Sequence, residues 1–418
     1  EKMAFRESMG SFSDLSVDKR LENVNSFLKE IESVIDFKKL RPILSKNGIG
    51  TKNSCGNKAY DSLIMFKILL LQKFYALSDE EAELAVKTNI LYMSFTGLSL
   101  DDSSPDASTI GRFRQSLMAN KLYDELFNSV NKQLEDKGLM FRSGRTIIVD
   151  ATLIQSDNIS ITKASKDERS EKAKKIDALN AKIDEEIQIE LAKPKPSSKK
   201  ISRLLKKKEH NSRTLKNSEI DEKHAVDSKE LETSRDIINH EKDSYNHKDR
   251  HDKEVRTGKH SSRAEYITGY KHHVAVDATS GLIADVTTTF ANTPESATLE
   301  GFIDTLNADG AYADKAYASK EMDTMLEEKK VVNKICQKET KGMSDEEKHI
   351  HRENQKPISK VRAKVEHAIG TFKFEMKHKK ARYIGLLRNH IDFVFLALAS
   401  NLKTLAHRQY KSKQCQMA

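Results

Sequence analysis

The chain has 418 residues, with 72 Lys and Arg against 63 Asp and Glu, a net charge of +9. That length exceeds one compact domain, and the positive balance suits a polyanionic partner. No apolar run reaches membrane-spanning length, which excludes a helical membrane protein and leads us to expect a soluble, cytoplasmic one with no membrane partner. Three scattered cysteines, Cys55, Cys336 and Cys415, exclude a disulfide scaffold and a cysteine metal site.

In chain order, residues 1–57 form a leader, with Met3 the expected start. A helix is predicted over Val17–Phe37, where Leu21, Val24, Phe27, Leu28, Ile31 and Ile35 keep helical period. Gly48, Gly50 and Gly56 mark a loop. Residues 58–140 read as helical. Tyr60–Tyr75 is almost wholly apolar and should be buried, and Ser78 with Glu81 forms a capping-box pattern. Asp106 or Ser108 caps a helix that carries Thr109, Arg112 and Arg114. Arginines near a helix start suit a helix-turn-helix reader of DNA ends. The alternative is a dimerising helical bundle whose arginines meet acids or solvent.

Within Arg145–Asp150, Ile147, Ile148 and Val149 form a continuous β-branched run, as expected of a central strand buried on both faces. Residues 156–262 then interrupt the pattern. They are dense in Lys, Glu, Asp and Ser, with no Gly between Gly144 and Gly258. Ile176, Leu179, Ile183, Ile187 and Leu191 make one apolar seam; after Pro194 and Pro196, Ile201, Leu204 and Leu205 begin another. The insertion is either an antiparallel helical hairpin or disordered, because so little apolar surface barely offsets the entropy of ordering.

Beyond it, strands are predicted at Tyr270–Asp277 and Gly281–Phe290 about a tight turn, then a helix at Ser296–Asn307 and a strand at Ala308–Asp314. A helix at Ser319–Lys330, a strand at Val331–Cys336, a polar loop over 338–358 and a helix at Ser359–Lys373 follow. Ile391–His407 is apolar at helical spacing and should pack on the core. The prediction is an α/β domain, a mixed sheet with flanking helices, built from 141–155 and 263–410.

Two carboxylates end strand-like runs, Asp150 and Asp314, and a third, Glu366, lies on the Ser359–Lys373 helix. There Val361, Val365, Ala368, Ile369 and Phe372 form a buried stripe, while Arg362, Glu366 and Lys373 share the adjacent face. Alone, that triplet reads as a surface ion-pair ladder. Two rigidly held aspartates plus one glutamate can instead make the all-oxygen site that Mg²⁺ prefers. Asp277, Asp285 and Glu295 read as structural acids, with Asp277 the substitute should one of the three fail. His272 and His273 alternate across a strand, so at most one faces the site.

The motifs IVDATLI around Asp150, YADKAY around Asp314 and R-x3-E-x6-K at Arg362, Glu366 and Lys373 resemble those of bacterial insertion-sequence DDE transposases. GYKHHVAVD (269–277), VTTTFAN (286–292), RYIGLLRN (382–389), YALSDEEAE (75–83) and SPDASTIGRFRQSL (104–117) extend the resemblance in the family's order. Ser359 stands where the family signature has Tyr. The resemblance implies an RNase H-like fold and cleavage and strand transfer on double-stranded DNA, at transposon ends and target. Asp150, Asp314 and Glu366 are then the metal-binding catalytic acids, with two Mg²⁺ or Mn²⁺ ions. Arg112, Arg114, Lys271, Lys315, Arg362 and Lys373 are the expected DNA contacts, with Asn292 and Tyr317 beside them, and a homodimer on paired ends is implied. A simple nuclease, or an inactive DNA-binding repressor, is the alternative.

Overall fold

The computed structural model describes residues 12–24, 26–48, 59–141, 146–156, 178–190, 202–208, 255–259, 266–337, 339 and 343–417. The amino-terminal half is helical. The helix expected over Val17–Phe37 is broken in two, α1 (Phe12–Leu21) and α2 (Phe27–Val34). Polar Glu22 and Asn23 interrupt the apolar stripe, and Ser26 recaps the chain by accepting from the Leu28 amide. A short α3 (Arg41–Leu44) leads to α4 (Ser62–Tyr75), which Asp61 caps and which buries most of its length. Both hydrogen bonds of the Ser78–Glu81 capping box start α5 (Asp79–Thr88). After α6 (Ile90–Thr96), Asp106 caps α7 (Ala107–Ala119) by accepting from Thr109, and α8 (Leu122–Asp136) follows.

The second half holds a six-stranded mixed sheet: β1 (Thr146–Gln155), β2 (Arg256–Lys259), β3 (Tyr266–Asp277), β4 (Ile283–Phe290), β5 (Gly310–Ala313) and β6 (Val332–Ile335). β3 runs antiparallel to β1 on one edge and to β2 and β4, end to end, on the other. β1, β5 and β6 are parallel neighbours. Gly269 opens the β1–β3 ladder because any Cβ there would sit 2.0 Å from the Ile154 carbonyl oxygen. Two expected boundaries move. Sheet residues resume at Arg256, upstream of the expected 263, and β1 runs past Asp150, because Ala151–Gln155 keep pairing with Gly269–His273.

Of the insertion, helical stretches at 178–190 (α9) and 202–208 (α10) lie among the described residues. Ile183 is buried and the Lys208 ammonium meets Asp184 at 2.5 Å, joining the two stretches. The expected Pro194–Pro196 turn and the seam beyond Leu205 lie outside the described residues.

After β4, α11 (Leu299–Leu306) packs on β4 and α12 (Lys320–Glu328) on β6. The segment expected as a polar loop, 338–358, is largely helix: α13 runs from Asp345 to Gly370 behind a Ser344–Glu347 capping box. Pro357 lies inside it and forgoes one backbone hydrogen bond. Val365, Ala368 and Phe372 are buried as expected, but the chain turns π-helical over Thr371–Glu375. Lys373 lies within this π segment, past the regular α-helical turns that carry Arg362 and Glu366.

The last helix, α14 (Leu386–Met417), packs on α2, α4, α8 and β4 and so joins the helical half to the sheet in one continuous core. Asn401 fixes that junction: its amide donates to the Ile283 carbonyl at 2.8 Å and its oxygen accepts from the Ile283 amide at 2.8 Å. Deeper, Lys73 of α4 meets Asp392 of α14 at 2.6 Å, both nearly inaccessible to solvent. His378 lies 4.0 Å from the same carboxylate and 3.3 Å from His272 of β3, whose ring stacks on Phe393. Among the described residues no helix is long and apolar enough to cross a membrane.

Candidate active site

The parallel register of β1 and β5 sets the site. Ile148 pairs with Tyr312 at the end of their ladder. Two residues further along come Asp150, within β1, and Asp314, the first residue past β5. Both acids lie just beyond the end of the parallel β1–β5 ladder, the side on which sheets of this kind bind ligands. Asp314 also accepts from the Lys315 amide at 2.7 Å and starts the 3₁₀ turn Lys315–Tyr317.

Arg362 reaches both acids from α13. Its guanidinium nitrogens lie 3.4 Å from Asp150 Oδ2 and 3.5 Å from Asp314 Oδ1. Burial works against the Arg362 charge, yet Asp150 and Asp314, with Cys336 and Glu366 behind them, hold its pKa above the ordinary value. For Asp150 the balance goes the other way. Burial pushes its carboxyl up to about 6; the Ala151 amide and Arg362 pull it down, while Glu295 and Asp314 push it further up. Glu366, one turn along from Arg362, is exposed and acts on that arginine's charge.

Two further residues face this cluster. Glu295, in the 3₁₀ turn before α11, packs with its turn against Lys315–Tyr317. The Tyr317 ring is fully buried, and its hydroxyl makes no hydrogen bond. Burial first, then Glu295, Asp150 and Asp314, raises the Tyr317 pKa well above its usual value. Read from sequence, Glu295 is a structural acid; only non-local packing brings it to this cluster. The YADKAY motif singles out Tyr317 as a flanking residue, without its burial.

The expected DNA contacts separate into two groups. Arg112 and Lys315 are exposed. Arg114 instead pairs with Asp79 and donates to Gln72 at 2.9 Å, tying α7 to α4 and α5, with its side chain 14% exposed. Lys271 is also held inside, donating to the Thr293 carbonyl at 2.7 Å with Glu295 at 3.9 Å. Burial lowers its pKa, with Glu295 opposing. Lys373 is half-buried, and its charge contributes to the lowered pKa of His272 and His378.

The histidines and the substitute acid are structural. His273 contacts Thr289 at 2.8 Å and Thr298 at 3.1 Å, and burial, then Lys271, lowers its pKa to about 3. Asp277 is fully buried and accepts from the amides of Thr279 and Ser280 and from the Ser280 hydroxyl, closing the β3–β4 turn.

The donor set fits a hard divalent ion, since every candidate ligand is a carboxylate oxygen. Arg362 stands between the two aspartates, and among the described residues no three Asp, Glu, His or Cys side chains stand close enough to hold an ion. The cluster therefore joins Asp150 and Asp314 through Arg362, on whose charge Glu366 also acts.

The helical amino-terminal half and the mixed sheet with its two neighbouring aspartates coincide with two family matches. Residues 15–116 match the family model Transposase domain (DUF772), and residues 221–402 match Transposase DDE domain. The second match includes Asp314 and Glu366 and begins downstream of Asp150. No solved structure matches the chain significantly. The chain belongs to the insertion-sequence DDE transposases, enzymes of transposition that generally depend on divalent metal.

Proposed function

We propose that the chain binds the terminal repeats of a mobile element as double-stranded DNA, cuts at their ends and joins the freed 3′ ends to target DNA. The observation that carries this is the register placing Asp150 beside Asp314, with Arg362 of the Glu366 helix bridging them. Strand order and polarity support the RNase H-like reading. β4, β3 and β1 run antiparallel in sequence, and β5 and β6 continue parallel to β1.

Asp150, Asp314 and Glu366 would hold two Mg²⁺ or Mn²⁺ ions, which when bound supply Lewis acidity to in-line displacement at a phosphodiester. The protein's own groups prepare for that charge. Asp150 is held rigidly in the middle of a strand, with one oxygen fixed by the Ala151 amide at 2.8 Å. Arg362 balances the two aspartates in the metal-free protein. Its buried, unpartnered Nε and the unpartnered Tyr317 hydroxyl are donors facing a site that receives anionic substrate. Lys315, directly after Asp314, and Lys373 would contact phosphates, and Arg112 would reach DNA from the exposed face of α7. We also propose a homodimer on paired ends and a helical hairpin for the insertion.

The test uses a duplex with a precleaved 3′-hydroxyl end, incubated with the protein, Mn²⁺ and a supercoiled plasmid. Joined product supports the transposase reading. Nicking without joining would make the protein a simple nuclease, and binding without either reaction would make it a repressor.

A further inference from the structure

A groove of about 650 Å³ opens beside the acid cluster, between the segment that follows β6 and the first half of α13. Its near end is Lys315, next to Asp314, and Ser359, three residues before Arg362 on α13. From there it runs along α13 past Lys356 and Arg352 to His351. Every lining side chain is polar or charged, so an apolar ligand gains nothing there. The cations outnumber the acids, with Glu339 the acidic side chain in the lining.

Two of the cations are in exposed pairs. Arg352 meets Glu339 at 2.9 Å and Lys356 meets Glu353 at 2.5 Å, with the basic side chains 67% and 70% exposed. Pairs this open are worth little and exchange readily for a better anion. Arg352 and Lys356 are four residues apart, so one helical turn, about 6 Å, separates them on one face. His351 to Ser359 spans about 12 Å of helix axis, enough for two or three phosphates of a strand.

We propose that this groove is the track for the phosphodiester backbone of the DNA strand leaving the active site, with Arg352 and Lys356 as phosphate contacts and Glu339 as the acid that DNA displaces from Arg352. This rests on the reading that the substrate is DNA. Ser359 contributes a small side chain where the groove meets the cluster, leaving room for the strand to turn toward Asp314. This first half of α13 lies outside the R-x3-E-x6-K motif, and its basic residues are new assignments.

The experiment measures binding of the full chain to a fluorescent duplex with a 3′ overhang, by anisotropy over a series of salt concentrations, without metal. The double variant Arg352→Ala/Lys356→Ala should bind roughly ten-fold more weakly at low salt, with the slope of log affinity against log salt reduced by about 1.8, two phosphates' worth. Glu339→Gln should do the opposite, tightening binding a few-fold, because it frees Arg352. Opposite signs from two neighbouring substitutions are not expected of a generic loss of folding, and the melting temperatures of both variants should match the wild type. If the wild type binds and both variants bind as it does, the groove is not the track, while the DNA reading stands. If the wild type binds no DNA at any salt, both fall.

Discussion

Asp150 and Asp392 are two buried aspartates of one fold with opposite electrostatics. Asp392 has the Lys73 ammonium at 2.6 Å, and although burial works against its charge, Lys73 and His378 hold its pKa below the ordinary value. Asp150 shares a single, longer-range arginine with Asp314, and burial with two neighbouring acids lifts it to about 6. The first pair is balanced in charge, although the second Asp392 oxygen makes no hydrogen bond. The second lacks positive charge, which a site for divalent ions must if the ions are to be drawn in. The charge balance around a buried acid, rather than its burial, separates Asp392 from the candidate Asp150.

The largest effect is expected at Asp150. Asp150→Asn should abolish strand cleavage, a loss beyond ~10³-fold, while the metal-free protein keeps or raises its melting temperature, because a disfavoured charge has been removed. A cleavage assay beside a melt without metal checks both halves; a variant that cuts normally, or melts well below wild type, would contradict this account.

Lys73→Met should do the reverse. It leaves Asp392 buried without its cation, which destabilises by about 3–5 kcal/mol. Denaturant unfolding should show this, and Lys73→Met combined with Asp392→Leu should recover most of the loss. Failure of the double change to recover would mean that the pair does more than neutralise itself.

Glu366→Gln tests the third acid. An exposed member of an ion-pair ladder would lose about 0–1 kcal/mol of stability and no activity. A metal ligand should lose at least ~10²-fold in cleavage with normal folding, partly rescued by Mn²⁺. Wild-type cutting by this variant would send the search for the third acid to Glu295, which already faces the cluster.

The smallest effect is in pH. Asp150 has its folded-state pKa raised above the ordinary carboxylate value, to about 6. The native state therefore binds more protons than the unfolded state between those values, so the contribution of Asp150 to stability falls as pH rises from about 4 to 6 and is level above. The loss is of the order of 2–3 kcal/mol in metal-free protein. Unfolding of wild type against Asp150→Asn across pH 4–8, with the difference read site by site, should show it. Affinity for Mn²⁺ should fall below pH 6 in the wild type, as protons compete for the carboxylate.

The three candidate acids are legible locally. Asp150, Asp314 and Glu366 stand in short motifs, and the strands around them follow from β-branched runs and tight turns. The Ser78–Glu81 cap and the buried α4 likewise came from patterns a few residues long. What sequence reading missed is non-local or lacks an apolar stripe. The first half of α13 is mostly exposed, so no periodicity marks it, although the Ser344-x-x-Glu347 pattern was a signal for its start. β1 continues past Asp150 because β3 offers it partners, which the run Arg145–Asp150 cannot reveal. Arg114 and Lys271 look like free cations in sequence, and only the fold brings Asp79, Gln72, Thr293 and Glu295 to them. By itself the sequence determined which acids this transposase carries and most of the elements that hold them, since motif and period are local properties of the chain. The tertiary structure decided which charges meet: register set Asp150 beside Asp314, helix packing brought Arg362 between them, and the differing neighbours of Asp150 and Asp392 sent two like side chains in opposite directions.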